Sequence, residues 1–188
     1  MECKSKLKSI VNKHKNIVIF LLKFFVTYFI LFAVYSIYLK KSQQKEGGFV
    51  TSSITTKVAK QTVSVLEFFG YYADAKQHEE ELSVKLLIEN QYTARVIEGC
   101  NSISLIILFI SFIIAFAGSI KATLIFAFLG SIFIYIINIF RIAFLTVMIY
   151  KYPDYQGFLH NLVFPSIIYG TIFLLWVVWV NKFSKYKT

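Results

Sequence analysis

The sequence predicts an all-α integral membrane protein with four transmembrane helices and a small extracytoplasmic insertion built from a helix and a hairpin. Three observations predict it. Hydrophobic residues make up 57% of the 188-residue chain, aromatic residues 18%, and the mean hydropathy is +0.63, more apolar than a water-soluble domain of this size carries. The apolar residues fall in long continuous runs, and roughly 20 helical residues cross a hydrocarbon core about 30 Å thick. Those runs do not alternate polar with apolar positions, so they suit helices and not the strands of a barrel.

The net charge of +10 is placed at the ends. Lys4, Lys6, Lys8, Lys13 and Lys15 precede the first apolar run, and Lys182, Lys185 and Lys187 follow the last. Short lysine-rich flanks resist translocation and are attracted to anionic lipid. Residues 1–16 and 181–188 are therefore expected to be cytoplasmic, and the excess charge is a topology signal. No aromatic-plus-basic surface motif occurs, which argues against a nucleic-acid partner.

The first span is expected at 17–38, from Ile17 to Tyr38. Lys23 lies near its cytoplasmic end, where a lysine can extend back to the headgroups. The run is too long for a signal peptide and lacks a small-residue cleavage pattern, so it reads as an anchor. Residues 39–99 form the long polar stretch, in which eight basic and eight acidic side chains cancel. Val50, Ile54, Val58, Thr62, Val65 and Phe69 recur at helical spacing, with Gly70 as a left-handed stop. This predicts an amphipathic helix lying on the membrane or against the bundle. Val84, Leu86 and Ile88 then alternate with polar residues, Glu89-Asn90-Gln91 suits a turn, and Ala94 to Ile97 resumes an extended pattern. The Glu79-Glu80-Glu81 run reads as solvated charge.

Residues 100–180 are expected to form a three-helix transmembrane catalytic core. Its second span runs from Ser102 to Ala117 and is closed by Gly118-Ser119. A third span covers about Ala122 to Tyr150, and the polar loop Lys151 to His160 leads to a fourth, Asn161 to Val180. Four spans with both termini inside bring Cys100, the outer end of span three and His160 to the extracytoplasmic face of the cytoplasmic membrane.

The octet Arg95 to Ser102 holds the one cysteine beyond the extreme N-terminus. Cys100 stands just ahead of span two, with Asn101 and Ser102 as natural N-cap residues. A thiol at a helix N-terminus feels the positive end of the dipole, which favours the attacking thiolate. The competing reading of Cys100 is a small buried hydrophobe. His160 opens span four at the same face and suits the base-then-acid cycle of acyl transfer. A guanidinium inside an apolar span costs roughly 2.5 to 3.5 kcal/mol on insertion scales, so Arg141 needs a reason. It would stabilise an oxyanion or the thiolate, with a structural ion pair as the alternative. Asn138, one turn earlier, could orient Arg141 by a hydrogen bond. One cysteine and one histidine on that face fall short of a zinc site, no phosphate-cradling glycine loop occurs, and no cofactor is expected.

Glu98-Gly99-Cys100-Asn101, the Asn138-x-x-Arg141 pair in the next apolar run and a histidine opening the last span resemble the exosortase/archaeosortase family of integral membrane cysteine transpeptidases. The likeness covers roughly Ala94 to Val180. It implies a membrane thiol protease or transpeptidase with Cys100 as nucleophile, Arg141 as electrostatic partner and His160 as general acid/base. Glu98, Asn101 and Asn138 would support them. It also implies the partners: exported proteins ending in a short motif, a transmembrane helix and a basic tail. Ser102 stands where many relatives have glycine. Two rival functions fit the same topology, a noncatalytic membrane scaffold and a thiol acyltransferase.

Overall fold

A computed structural model describes residues 15–43, 50–116 and 118–183, apart from the side chains of His160 and Phe164. The lysine-rich flanks at 1–14 and 184–188 lie outside the described residues. Helix α1 spans Lys15–Gln43, α2 Ser53–Phe68, α3 Ile103–Ala115, α4 Ile120–Lys151 and α5 Phe164–Lys182. Between α2 and α3 lie three strands, β1 Ala73–Gln77, β2 Ser83–Ile88 and β3 Gln91–Ile97.

Three helical segments are long and apolar enough to cross a membrane, Lys15–Gln43, Ile120–Lys151 and Pro153–Lys182. The fold is that of a mainly helical membrane protein. The second expected span differs: α3 has 13 residues, about 20 Å at 1.5 Å per residue, less than the thickness of a hydrocarbon core. Its helix ends at Ala115, with Phe116 as the C-cap, before the glycine that was expected to close it.

The bundle is held by apolar packing. Phe109 and Ile113 of α3, Ile134 of α4 and Ile168, Ile172 and Trp179 of α5 form one buried cluster. Close approach of α3 to α4 needs Gly130, where an added Cβ would collide with the Phe109 ring. The indole of Trp179 donates to the Phe116 carbonyl at 3.0 Å, tying the ends of α5 and α3 together. Helix α1 lies antiparallel on α3, its Phe20 ring against Phe112 and Phe116 near one end and Tyr35 against Asn101 near the other. Along α1, Leu22, Phe25, Phe29 and Val34 are exposed, as a lipid-facing surface requires.

The second layer is α2 on the sheet. Val58 and Ala59 of α2 pack with Val84, Leu86 and Val96 of the strands and Ile142 of α4. The helix therefore lies against the bundle, the second of the two expected placements. Gly70 adopts φ +85, the left-handed stop that the sequence suggests. Sheet order is β1-β2-β3, antiparallel throughout. Glu89 and Asn90 both have positive φ, the geometry of a tight two-residue hairpin turn, so the predicted hairpin is β2 and β3. The additional strand β1, Ala-Asp-Ala-Lys-Gln, carries little strand propensity and forms because it pairs with β2.

Helix α4 joins the two layers. Its Tyr135 hydroxyl donates to Gln61 of α2 at 2.6 Å, and Tyr150 donates to Glu89 at the hairpin turn at 3.1 Å.

Candidate active site

Strand β3 runs directly into a 3-10 turn, Glu98–Cys100, and three residues later α3 begins. Side chains on both sides of Cys100 clamp this turn. The Glu98 carboxylate accepts from the Ser52 backbone N–H at 2.6 Å, the Ser52 hydroxyl at 2.8 Å, the Thr55 hydroxyl at 2.5 Å and the Gln43 amide at 3.2 Å. An anion at the first turn of α2 is favoured by the helix dipole as well as by these donors. Asn101 is fully buried; its Nδ2 donates to the Tyr35 hydroxyl at 2.7 Å and to Thr55 at 3.0 Å. Its Oδ1 accepts from the backbone N–H of Ile103 at 3.1 Å, so Asn101 supplies the cap expected of it.

Ser102 does not cap with its side chain. Its backbone is left-handed, φ 65 and ψ −8, and its hydroxyl donates instead to the Asn101 carbonyl at 2.6 Å. This is a conformation that glycine adopts without strain and serine does not.

Cys100 is half-buried and lines a cavity of about 240 Å³ together with Arg141, Ile142, Leu145 and Ile149 of α4, Ala94, Arg95 and Val96 of β3, and Gln156. The Arg141 guanidinium lies near enough to the Cys100 side chain across this cavity for a charge interaction. Residues 41 positions apart in the chain thus face each other across one cavity.

Asn138 departs from expectation. Its amide donates to the Cys100 carbonyl at 2.8 Å and not to Arg141. The reason is the turn itself: that carbonyl precedes the start of α3, and a buried acceptor needs a donor. The Asn138 Oδ1 and Arg141 Nε atoms are buried with no hydrogen-bond partner among the described residues.

The backbone of His160 lies in a π-helical turn, Leu159–Val163, that leads into α5. Leu159 packs on Leu145, Ile149 and Ala94, all of which line the Cys100 cavity. The chain therefore carries position 160 beside that cavity; the His160 side chain lies outside the described residues.

Tyr35, Ser52, Thr55 and Gln156 join the site's surroundings without having been singled out in the sequence. Ser52, an N-cap hydroxyl three residues ahead of Thr55, carries a recognisable local signal. Tyr35 carries none, since a tyrosine in an apolar span reads as lipid-facing. Within the acidic run Glu79 and Glu80 are exposed, as expected of solvated charge, and Glu81 adds a surface salt bridge with Arg95.

A family model described as transmembrane exosortase matches residues 17–179. No curated protein and no solved structure matches the chain. The matched segment runs from the first helix through the Cys100 turn and Arg141 into the last helix, and on that extent the chain belongs to the transmembrane exosortase family.

Proposed function

We propose that the protein is a membrane-embedded thiol protease or transpeptidase that cleaves the C-terminal sorting signals of exported proteins. The observation that carries this reading is the pairing of Cys100 with Arg141 in one cavity. The Cys100 sulfur attacks the scissile carbonyl carbon, forming a carbon–sulfur bond. Arg141 stabilises the oxyanion so produced. Collapse breaks the carbon–nitrogen bond, and His160 passes the thiol proton to the leaving amine. Water or an amine then attacks the thioester and frees the sulfur.

The lengths of the helices support a site at the extracytoplasmic face of the cytoplasmic membrane. From Ile120, at the start of α4, to Arg141 is about 31 Å of helix rise, roughly the thickness of the hydrocarbon core. Arg141 then stands at the outer boundary and not at the bilayer centre, where its charge would be most costly. The α2 and sheet layer packs along α4 from Tyr135 to Tyr150, on both sides of that boundary. In this arrangement α1, α3, α4 and α5 are the four crossings, with α3 spanning by means of its flanking residues and both termini cytoplasmic.

Replacing Cys100 with alanine tests the reading. Loss of substrate processing at normal membrane levels supports catalysis, and unchanged processing favours a scaffold. Mass measurement on Cys100 separates a peptidyl thioester from the fatty acyl group of an acyltransferase.

A further inference from the structure

The wall of the cavity opposite α4 is β3, one of the two outer strands of the sheet. Its ladder partner is β2, and no other described backbone hydrogen bond uses residues 91–97. Gln91, Tyr92, Arg95 and Ile97 are exposed. A strand edge with free N–H and C=O groups is a template for an extended chain. This edge ends at the turn that carries Cys100, so a chain laid along it reaches the sulfur at its end. Charge indicates what kind of chain fits. The lining residues include Arg95 and Arg141 and no acid. Arg95 is held meanwhile by Glu81 in an ion pair with both side chains about half exposed, a weak pair that an incoming carboxylate can replace.

Resting on the thiol-protease reading, we infer that the substrate adds a fourth strand to the free edge of β3, with an acidic side chain shortly before the scissile bond received by Arg95. The added strand runs parallel to β3. A substrate whose C-terminal helix enters the membrane descends toward it, as β3 descends toward Cys100 and α3.

The test places the photo-crosslinking residue p-benzoylphenylalanine at Thr93, Arg95 or Ile97 of the full-length Cys100→Ala protein in the membranes of the producing cell. The crosslinks are mapped on the proteins that accumulate uncut in that strain. Edge pairing places the Ile97 crosslink next to the cut and moves it toward the substrate N-terminus at Arg95 and again at Thr93. Crosslinks without that order, or elsewhere on the substrate, overturn the pairing and leave the Cys100 chemistry standing. If no protein accumulates uncut, the protease reading fails and takes this inference with it. Arg95→Gln should slow processing about tenfold, the loss of one charge-assisted hydrogen bond, while Glu81→Gln leaves it unchanged. Equal loss in both variants would mark the pair as structural and remove Arg95 from recognition.

Discussion

The side-chain amide of Asn138, in the middle of α4, donates a 2.8 Å hydrogen bond to the backbone carbonyl of Cys100. It makes Asn138 a positioning residue for the Cys100 turn. Asn138→Ala leaves that carbonyl without its donor, an error of about 1–3 kcal/mol. Processing should fall at least tenfold at unchanged membrane levels, read as the ratio of cut to uncut substrate. Full activity in Asn138→Ala would show that the turn is held without it.

Ser102 is buried and left-handed, at φ 65, so glycine should fit better than the native residue. The strain relieved is about 1–2 kcal/mol, partly offset by the greater freedom of glycine in the unfolded chain. Ser102→Gly should raise the unfolding temperature in detergent, and Ser102→Val should lower it. A lower melting point for the glycine variant would contradict the backbone geometry.

Glu98 gathers donors from Gln43, Ser52, Thr55 and Asn101, and its place is structural before it is chemical. Glu98→Ala should cost about 3 kcal/mol by orphaning the donors around it. The expected sign is a lower unfolding temperature and faster proteolysis near residues 50–56 in reconstituted membranes. Tyr35→Phe removes one acceptor from Asn101 and should cost about 1 kcal/mol. If Glu98→Ala melts normally but processes nothing, the carboxylate acts on substrate instead.

Arg141 is the residue least open to replacement by another cation. Its planar fork can meet the sulfur and an oxyanion together, whereas a lysine offers one point charge. Arg141→Lys should lower processing by about 10²-fold or more, the scale of losing an oxyanion donor. Membrane abundance should hold, because the guanidinium makes no ion pair among the described residues. Native rates in Arg141→Lys would reduce its role to bulk charge.

How far the sequence could be read is clearest at particular residues. The apolar runs located α1, α4 and the last segment, and the Val58 and Thr62 positions of the amphipathic stripe are buried in α2. Alternation at Val84, Leu86 and Ile88 marked β2, all three of which are buried. Strand β1 escaped because its residues have no preference for extended structure until β2 offers a ladder. Glu98 and Asn101 were recognisable as companions of Cys100, but their partners Ser52, Thr55 and Tyr35 lie 43 to 66 positions away. Local pattern carries no record of such pairs.

What the sequence determined by itself was the class of protein, the order of its helices and the position of Cys100 ahead of one of them. Hydropathy and turn residues act within a few positions, and those features are local. Tertiary structure alone decided that Asn138 serves the Cys100 carbonyl, that Arg141 shares a cavity with Cys100, and that Ser102 takes a backbone suited to glycine. Each of these follows from a buried polar group finding its partner across the fold, where distance along the chain has no meaning.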